Sequence, residues 1–264
     1  MNKLNYPLIT IITVVYNGDR YLEDTILSVT NQTYSNIEYI IVDGGSKDKT
    51  LDIIRKYESD IEFWVSEKDS GIYDAMNKGL GLAKGDYIIF MNADDTFFDN
   101  NVVHHLAKVV YESDETIDII YGKTKVKDLN YDWVDGQEVS FSGLANYAIC
   151  HQSAMVSRES YHKFNGFNLS YKICADYDFF VKLFKSDLVA KFLPFCISTI
   201  RVGGVSTTNI KQTIGEKLKI FETHYSGSTR LQYLAKVYFY LYPRLYFRDL
   251  LVRFNLIHYI RKFR

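Results

Sequence analysis

The chain has little cysteine and little proline. Its three cysteines, Cys150, Cys174 and Cys196, are odd in number, lie far apart and lack the close spacing of metal-ligand pairs. This pattern argues against a disulfide framework and favours a reduced, cytoplasmic compartment. Three prolines in 264 residues leave no proline-rich linker, and the sequence contains no internal repeat or low-complexity segment.

A long apolar run is also missing. No stretch reaches the roughly 18 consecutive apolar residues of a membrane-spanning helix. The first apolar run, residues 8–15, is short and lacks a basic segment before it, so we expect no secretory signal peptide. These absences predict a protein that is made and kept in the cytoplasm.

Neither charge sign dominates the whole chain, but the two signs are unevenly distributed. The 31 Lys/Arg and 32 Asp/Glu give a net charge of −1. Residues 225–264 hold eight Lys/Arg and one acid, Asp249, which leaves 23 basic and 31 acidic residues in 1–224. The basic tail suggests a partner of its own, and the acidic body argues against nucleic acid.

The sequence does contain segments whose apolar residues alternate between the pattern of a strand and the spacing of a helix. Strands are predicted at residues 8–15, 37–42, 61–65, 87–91 and 118–121, and helices at 19–32, 47–57, 72–83 and 101–111. Asp19 is a candidate cap for the first helix. Such alternation with short links predicts an α/β fold, in which helices cover both faces of a mostly parallel sheet.

The second half is less regular. Residues 123–150 predict an antiparallel flap or a mobile segment, followed by helices at 158–164 and 175–186 and a strand near 188–193. From Leu231 onward, apolar positions recur at helical spacing up to 245 and continue at 247–257 after Pro243. We therefore expect a domain at 1–224 and a basic, aromatic, amphipathic helical tail at 225–264. Such a tail either lies on an anionic membrane or packs on protein, including a second subunit.

Polar clusters follow each of the first four predicted strands. They read VVYNGD, VDGGSKDKT, SEKDSG and NADD. Ligands of open parallel sheets collect beyond the carboxyl ends of the strands, so these clusters mark a binding edge. Neither G-x-G-x-x-G nor G-x-x-x-x-G-K-[ST] is present, which disfavours a dinucleotide site and a P-loop.

Two of these clusters carry carboxylates suited to a ligand. Asp43, before Gly44 and Gly45, can accept hydrogen bonds from a nucleobase or ribose, although the same turn could simply cap the next helix. Asp94 and Asp95 offer the hard oxygens that Mg²⁺ or Mn²⁺ prefers. The alternative for this pair is a solvated loop.

A third carboxylate lies at the start of the helix at 175–186. Asp176 shares its helical stripe with Phe179, Phe180 and Leu183, which predicts that it faces the protein, whereas Asp178 should point away. An inward carboxylate at a helix start can take a proton in a cleft. It could equally be an acid that the helix dipole favours.

Together these motifs resemble the family 2 glycosyltransferases with the GT-A fold, over about residues 8–184. ITIITVVYNG resembles the opening strand of that family, IVDGGSKDKT its nucleotide-contacting turn, NADD its DXD-type metal motif and ADYDFFVKL its ED-type base helix. SGIYDAMNKGL and GFN also match. The resemblance implies a GT-A type, Rossmann-like sheet flanked by helices.

The resemblance also implies roles for individual residues. Asp176 would be the catalytic base and His151 would lie on the acceptor side. The metal, Mn²⁺ or Mg²⁺, would be held by Asp94 and Asp95. The nucleotide sugar donor would contact Val14, Tyr16, Asp43, Asp74, Asn77 and Asp94.

Three departures from the family pattern qualify these roles. Asn92 stands where the first acid of the metal motif is usual, and Ala175 stands where a glutamate commonly precedes the base. The Q-x-x-R-W sequence is absent, which argues against a processive polysaccharide synthase.

The resemblance implies an inverting, metal-dependent transfer of one sugar from a nucleotide diphosphate sugar to an acceptor hydroxyl. The expected acceptor is a saccharide or lipid-linked saccharide, in the assembly of a bacterial surface polysaccharide or glycolipid. The expected location is the cytoplasm, peripheral on the inner face of the cell membrane, and a homodimer is compatible with the tail. The alternatives are a nucleotidyltransferase that makes nucleotide sugars and a non-catalytic nucleotide-sugar-binding protein.

Overall fold

The structure is a computed structural model that describes residues 6–128, 131–204 and 208–236. The chain divides into two compact units between Asn209 and Ile210. The boundary predicted between residues 224 and 225 falls inside the second unit and stays a prediction. The predicted tail helix beyond Pro243 lies outside the described residues.

Nine strands of the described residues form one sheet in the first unit. They are β1 (Ile9–Val15), β2 (Ile37–Asp43), β3 (Phe63–Ser66), β4 (Tyr87–Phe90), β5 (Thr96–Phe97), β6 (Ile119–Lys127), β7 (Trp133–Asp135), β8 (Ala154–Ser157) and β9 (Ala190–Arg201). Their order is β3-β2-β1-β4-β8-β6-β9-β5, with β7 paired to β6. The first four strands of this order are parallel, and β8 runs antiparallel to both of its neighbours.

Helices follow the strands as the sequence predicts. They are α1 (Leu22–Thr30), α2 (Thr50–Lys56), α3 (Ile72–Leu82), α4 (Val102–Tyr111), α5 (Arg158–Lys163) and α6 (Ala175–Lys185) in the first unit, and α7 (Ile210–His224) and α8 (Gly227–Lys236) in the second. A short 3-10 helix at His151–Ser153 precedes β8. Every helix of the described residues is too short or too polar to span a bilayer.

The sheet of the first unit is buried on both faces. On one face, the buried sheet residues Ile11, Ile41 and Ile89 share an apolar cluster with Leu22 of α1 and Leu106 of α4. The other face carries an aromatic cluster formed by Phe90, Tyr161, Phe167 and Phe179. Burial of both faces explains why β1 and β2 are mainly apolar and do not alternate strictly between apolar and polar residues.

Two local predictions were wrong. α1 begins at Leu22 with Tyr21 as its N-cap, and the backbone N–H of Asp19 instead donates to the Asp48 carboxylate at 3.1 Å. β9 extends to Arg201 rather than ending near 193. Its pairing with β6 skips from Leu193 to Cys196 and then continues to Arg201. This bulge accommodates Pro194, which cannot donate a ladder hydrogen bond.

Candidate active site

The four polar segments lie at one edge of the sheet. Because β1 to β4 are parallel, their carboxyl ends are adjacent, and hydrogen bonds connect the loops that follow β1, β2 and β3. The Asn17 N–H donates to Ser46 Oγ at 2.7 Å, and the Glu67 N–H donates to the Asp43 carbonyl at 3.0 Å. The clustering predicted from the sequence is therefore present.

Asp43 holds its own turn together. Its carboxylate accepts hydrogen bonds from the backbone N–H groups of Gly45 and Ser46, at 3.1 and 3.0 Å, and from the Ser66 hydroxyl at 2.6 Å. The Ser46 hydroxyl donates to the second oxygen. Asp43 is fully buried, so these contacts favour the structural role that the sequence left open.

Tyr16 and Gly44 form the exposed part of this edge. The Tyr16 side chain is 64% exposed, and a Cβ placed on Gly44 would lie 3.4 Å from Tyr16 Cδ2 and 2.3 Å from the Asp69 carboxylate. Glycine at position 44 therefore lets the Tyr16 ring and Asp69 approach the backbone. An exposed aromatic ring beside a backbone turn can stack on a nucleobase.

Three further predicted donor contacts have different environments. Val14 is 5% exposed within β1, so only its backbone could reach a ligand at the edge. Asp74, in the first turn of α3, accepts the Ser70 N–H at 2.9 Å and is partly exposed. Asn77 exchanges two hydrogen bonds with the backbone of Phe167, both at 2.8 Å, so its amide is already engaged with the protein.

Asp94 and Asp95 differ sharply in exposure. Asp94 is exposed, whereas Asp95 is 3% exposed. Both Asp95 oxygens accept hydrogen bonds, one from Gln152 Nε2 at 2.5 Å and the other from the Arg201 N–H at 3.3 Å. Burial and the negative charge of Asp94 raise the pKa of Asp95 to about 7.

Asp176 lies in the first turn of α6 and its carboxylate accepts three hydrogen bonds. Oδ1 accepts the Tyr73 hydroxyl and the Tyr177 N–H, each at 2.8 Å, and Oδ2 lies 3.0 Å from His151 Nδ1. Burial raises the pKa of Asp176, but the bonds from His151 and Tyr73 outweigh it and hold the pKa below its ordinary value. Asp176 is therefore ionised at neutral pH, as a proton acceptor must be.

Adjacent residues of the short 3-10 helix join the two acidic groups. His151 contacts Asp176, and the neighbouring Gln152 donates to Asp95. The second ring nitrogen of His151, Nε2, lies 3.2 Å from Asn92 Nδ2, which comes two residues before Asp94. Since Nδ1–H donates to Asp176, Nε2 accepts from the Asn92 amide. The acids at 94–95 and at 176 thus belong to one site.

The prediction that Asp178 points away from the protein was wrong. Asp178 is 1% exposed, and its carboxylate lies 2.6 Å from Lys182 Nζ. α6 is buried on nearly all sides, so that it has no solvent face for an acid at this position.

Three residues of the site were not singled out by the sequence analysis. Gln152 and Tyr73 contact the acids directly, and the backbone of Arg201 bonds to Asp95 while its guanidinium lies 4.3 Å from the centre of the Tyr21 ring. A sequence signal existed for Tyr73, which is part of the matched segment SGIYDAMNKGL. Arg201 was missed because the sequence predicted that its strand, β9, ends near residue 193.

The donor set fits a divalent cation only in part. Among the described residues, no three His, Cys, Asp or Glu side chains are close enough to form a metal cluster. Asp94 offers one exposed carboxylate, and Asp95 would have to release Gln152 to become a ligand. The shared negative charge still favours a cation here, which would take its other ligands from substrate oxygens and water.

The sequence matches known proteins along most of its length. The family model for glycosyl transferase family 2 matches residues 10–189. A PGL/p-HBAD biosynthesis glycosyltransferase of Mycobacterium bovis is 30% identical over 217 residues, which cover 80% of this chain and 84% of that relative. An uncharacterized glycosyltransferase of Rickettsia typhi is 30% identical over 232 residues, covering 84% of this chain and 71% of that protein.

Solved structures share the fold. TarS of S. aureus in complex with UDP-GlcNAc superposes with a TM-score of 0.68 at 16% identity, covering 88% of this chain and 73% of that chain. The mannosyltransferase PcManGT of Pyrobaculum calidifontis, in complex with GDP-Man and Mn²⁺, has a TM-score of 0.64 at 18% identity, covering 84% of this chain and 65% of that chain. The predicted GT-A fold class is confirmed.

Proposed function

The chain belongs to glycosyl transferase family 2, and we propose that it transfers one sugar from a nucleotide diphosphate sugar to an acceptor hydroxyl with inversion. The observation that supports this most is the connection of Asp95 to Asp176 through the adjacent residues Gln152 and His151. It links an acidic pair, suited to a cation on the donor diphosphate, to a carboxylate suited to accept a proton. Two solved proteins of this fold bind such donors.

Asp176 takes the acceptor proton in this mechanism. The acceptor oxygen bonds to the anomeric carbon while the bond from that carbon to the diphosphate oxygen breaks, and the hydroxyl proton passes to Asp176. The nucleoside diphosphate leaves from the opposite face of the sugar. Tyr16 supplies a ring for the nucleobase, and Asp74 borders the donor pocket from α3.

Asp94, which is exposed, is the residue best placed to hold Mn²⁺ or Mg²⁺ with the donor diphosphate. The buried carboxyl of Asp95 would add to the negative charge that attracts the cation. When bound, the cation supplies positive charge that neutralises the departing diphosphate. Three other predicted donor residues would shape the donor pocket indirectly, through backbone: Val14 through its own, Asp43 and Asn77 through the backbone groups that they bond. A low count of protein ligands predicts a weakly held cation.

Removal of metal tests this part of the proposal. Treatment with EDTA should abolish transfer, and Mn²⁺ added in excess should restore it, because the diphosphate would otherwise leave without a neutralising charge. Initial rates of nucleoside diphosphate release measure the effect. Transfer at the untreated rate after complete chelation would contradict the metal role.

The Asp176→Asn variant tests the reaction itself. It should bind the donor with unchanged affinity and lose about 10³-fold in kcat, since an amide cannot accept the proton. Asp187→Asn is the control, because it removes an exposed carboxylate just beyond the end of the same helix. Donor binding is measured by calorimetry and turnover by product release, and equal turnover of Asp176→Asn and wild type would remove Asp176 from this role.

The same assays decide between the remaining alternatives. Membership of glycosyl transferase family 2 argues against a nucleotidyltransferase. A non-catalytic nucleotide-sugar-binding protein would bind the donor and release no nucleoside diphosphate with any acceptor. Slow hydrolysis of the donor by the wild type alone would argue against it.

The relatives and the tail support a proposal for the acceptor and the location. We infer that the acceptor is a saccharide or lipid-linked saccharide used in a bacterial surface polysaccharide or glycolipid, since one mycobacterial relative is named for PGL biosynthesis. The basic tail would hold the enzyme, peripherally, against anionic lipid on the inner face of the membrane. Packing of the tail on a second subunit is the alternative for that segment.

A further inference from the structure

The hydroxyl of Tyr73 lies between two hydrogen-bond acceptors. Its oxygen is 2.8 Å from Asp176 Oδ1 and 2.7 Å from the carbonyl oxygen of Ile173. A tyrosine hydroxyl has one hydrogen, so it can donate to only one of the two at a time. While Asp176 is ionised, the charge-assisted bond to Oδ1 is the stronger of the two.

The oxygens of Asp176 are not equally occupied. A carboxylate oxygen has two lone pairs, and those of Oδ1 are taken by the Tyr73 hydroxyl and the Tyr177 N–H. Within the part of the chain that the structure describes, Oδ2 has His151 Nδ1 as its hydrogen-bond partner. One lone pair of Oδ2 therefore remains for an incoming proton.

We propose that Tyr73 is a positioning residue for Asp176, whose hydroxyl holds Oδ1 during attack and turns to the Ile173 carbonyl once Oδ2 has taken the acceptor's proton. This inference rests on the proposed glycosyl transfer. The proton travels from the acceptor hydroxyl to Oδ2, and Tyr73 keeps its own proton throughout. Tyr73 lies in the segment SGIYDAMNKGL, so the proposal gives one residue of that segment a role in the reaction.

The surroundings of Tyr73 permit this movement of one hydrogen and little else. The side chain is 6% exposed, and its ring lies 5.5 Å from the ring of Phe167. Because both acceptors are already within hydrogen-bond distance, rotation about the C–O bond is sufficient and no heavy atom has to move. Burial and the charge of Asp176 raise the pKa of Tyr73 far above its ordinary value, so the hydroxyl stays protonated.

The other titratable side chains near Asp176 come from two further elements. His151 reaches it from the 3-10 helix, and Tyr161 of α5 has its pKa raised by burial and by the charge of Asp176. Among the described residues, only His151 and Tyr73 donate side-chain hydrogen bonds to the carboxylate. A change in the titration of Asp176 after removal of the Tyr73 hydroxyl can therefore be distinguished from a general effect of losing a buried tyrosine oxygen.

The first experiment is the pH dependence of kcat in the Tyr73→Phe variant. The acidic limb should move to higher pH, because ionised Asp176 loses a donor. At pH 7, kcat should fall about tenfold with the donor KM little changed, because Oδ1 is no longer held in position. Tyr161→Phe is the matched control, since it deletes a buried hydroxyl beside Asp176 that donates no bond to it. An unmoved limb in Tyr73→Phe, or an equal shift in both variants, would overturn the inference.

A second measurement does not depend on activity. The ¹³C resonance of the Asp176 carboxyl, assigned by its loss in Asp176→Asn, should titrate at higher pH in Tyr73→Phe than in wild type and in Tyr161→Phe. An identical titration in all three proteins would refute the role of Tyr73 even if transfer occurs. Conversely, a wild type that transfers no sugar would defeat the proposed function while leaving this titration to be judged separately.

Discussion

Asp94 and Asp95 are neighbours in sequence and lie in opposite environments. Asp94 is exposed, while Asp95 is buried with both oxygens bonded to protein. The raised pKa of Asp95, about 7, means that the folded protein resists its ionisation. The unfolded chain ionises aspartate near pH 3.9, so the free energy of unfolding falls as the pH rises from about 4 through about 7.

This cost predicts the effect of Asp95→Asn. In the presence of EDTA at pH 8, the variant should gain about 1–2 kcal/mol in free energy of unfolding, because the amide carries no buried charge. The gain should shrink as the pH is lowered to 5, where Asp95 of the wild type is already protonated. Urea unfolding at the two pH values measures it.

Asp94→Asn serves as the control at this scale. Its exposed side chain should change the free energy of unfolding by less than about 0.5 kcal/mol at either pH. It should nevertheless weaken Mn²⁺ binding. A pH-independent difference between Asp95→Asn and wild type would contradict the assignment of a buried, partly protonated carboxyl.

At the scale of elements, α3 connects the core to the site. A Cβ on Gly79 would lie 2.6 Å from Cγ2 of Ile12, so α3 packs directly against β1 at this point. The first turn of the same helix contains Asp74 and Tyr73, which contacts Asp176. The spacing between α3 and the sheet therefore also sets the position of the Tyr73 hydroxyl.

The Gly79→Ala variant should displace α3. The added methyl group overlaps Ile12, which we expect to cost about 1–3 kcal/mol in free energy of unfolding and to lower kcat by moving Tyr73. Gly81→Ala in the same helix is the matched control, because a Cβ there meets nothing within 4 Å. The Gly81→Ala control should gain up to about 1 kcal/mol in free energy of unfolding. Thermal and urea unfolding measure both variants. A greater loss of stability in Gly81→Ala than in Gly79→Ala would disprove the close packing.

At the scale of the whole molecule, charge is the property that separates the two ends of the chain. Residues 225–264 carry eight Lys/Arg and one acid, whereas residues 1–224 are net acidic. Each basic residue near an anionic surface contributes about 1 kcal/mol to binding. A few tail residues are therefore enough to decide whether the protein stays on a membrane.

Replacement of Arg244, Arg248 and Arg253 by serine should weaken binding to vesicles that contain phosphatidylserine by about 100-fold. Serine at Lys163, Lys185 and Lys191, which are exposed in the first unit, is the control with the same loss of charge. Co-sedimentation measures binding, with phosphatidylcholine vesicles as the uncharged reference. Equal binding of both variants would reject a membrane role for the tail.

The sequence by itself determined the architecture of the first half and the identity of the acids. The runs that became β1, β2 and β4 are mainly apolar, because both faces of the sheet are covered, and the polar segments after them had to meet at one edge. Asp94, Asp95 and Asp176 could be named because their motifs are short and local in the chain.

Only the tertiary structure decided what each acid contacts. Tyr73 and Asp176 are 103 positions apart, and Arg201 and Asp95 are 106 apart, so no local period could pair them. Asp178 was misplaced for the same reason, since helical spacing gives the faces of α6 but not how many of them the protein covers. Periodicity records neighbours along one element, whereas exposure, pKa and hydrogen-bond partners depend on what other elements bring alongside.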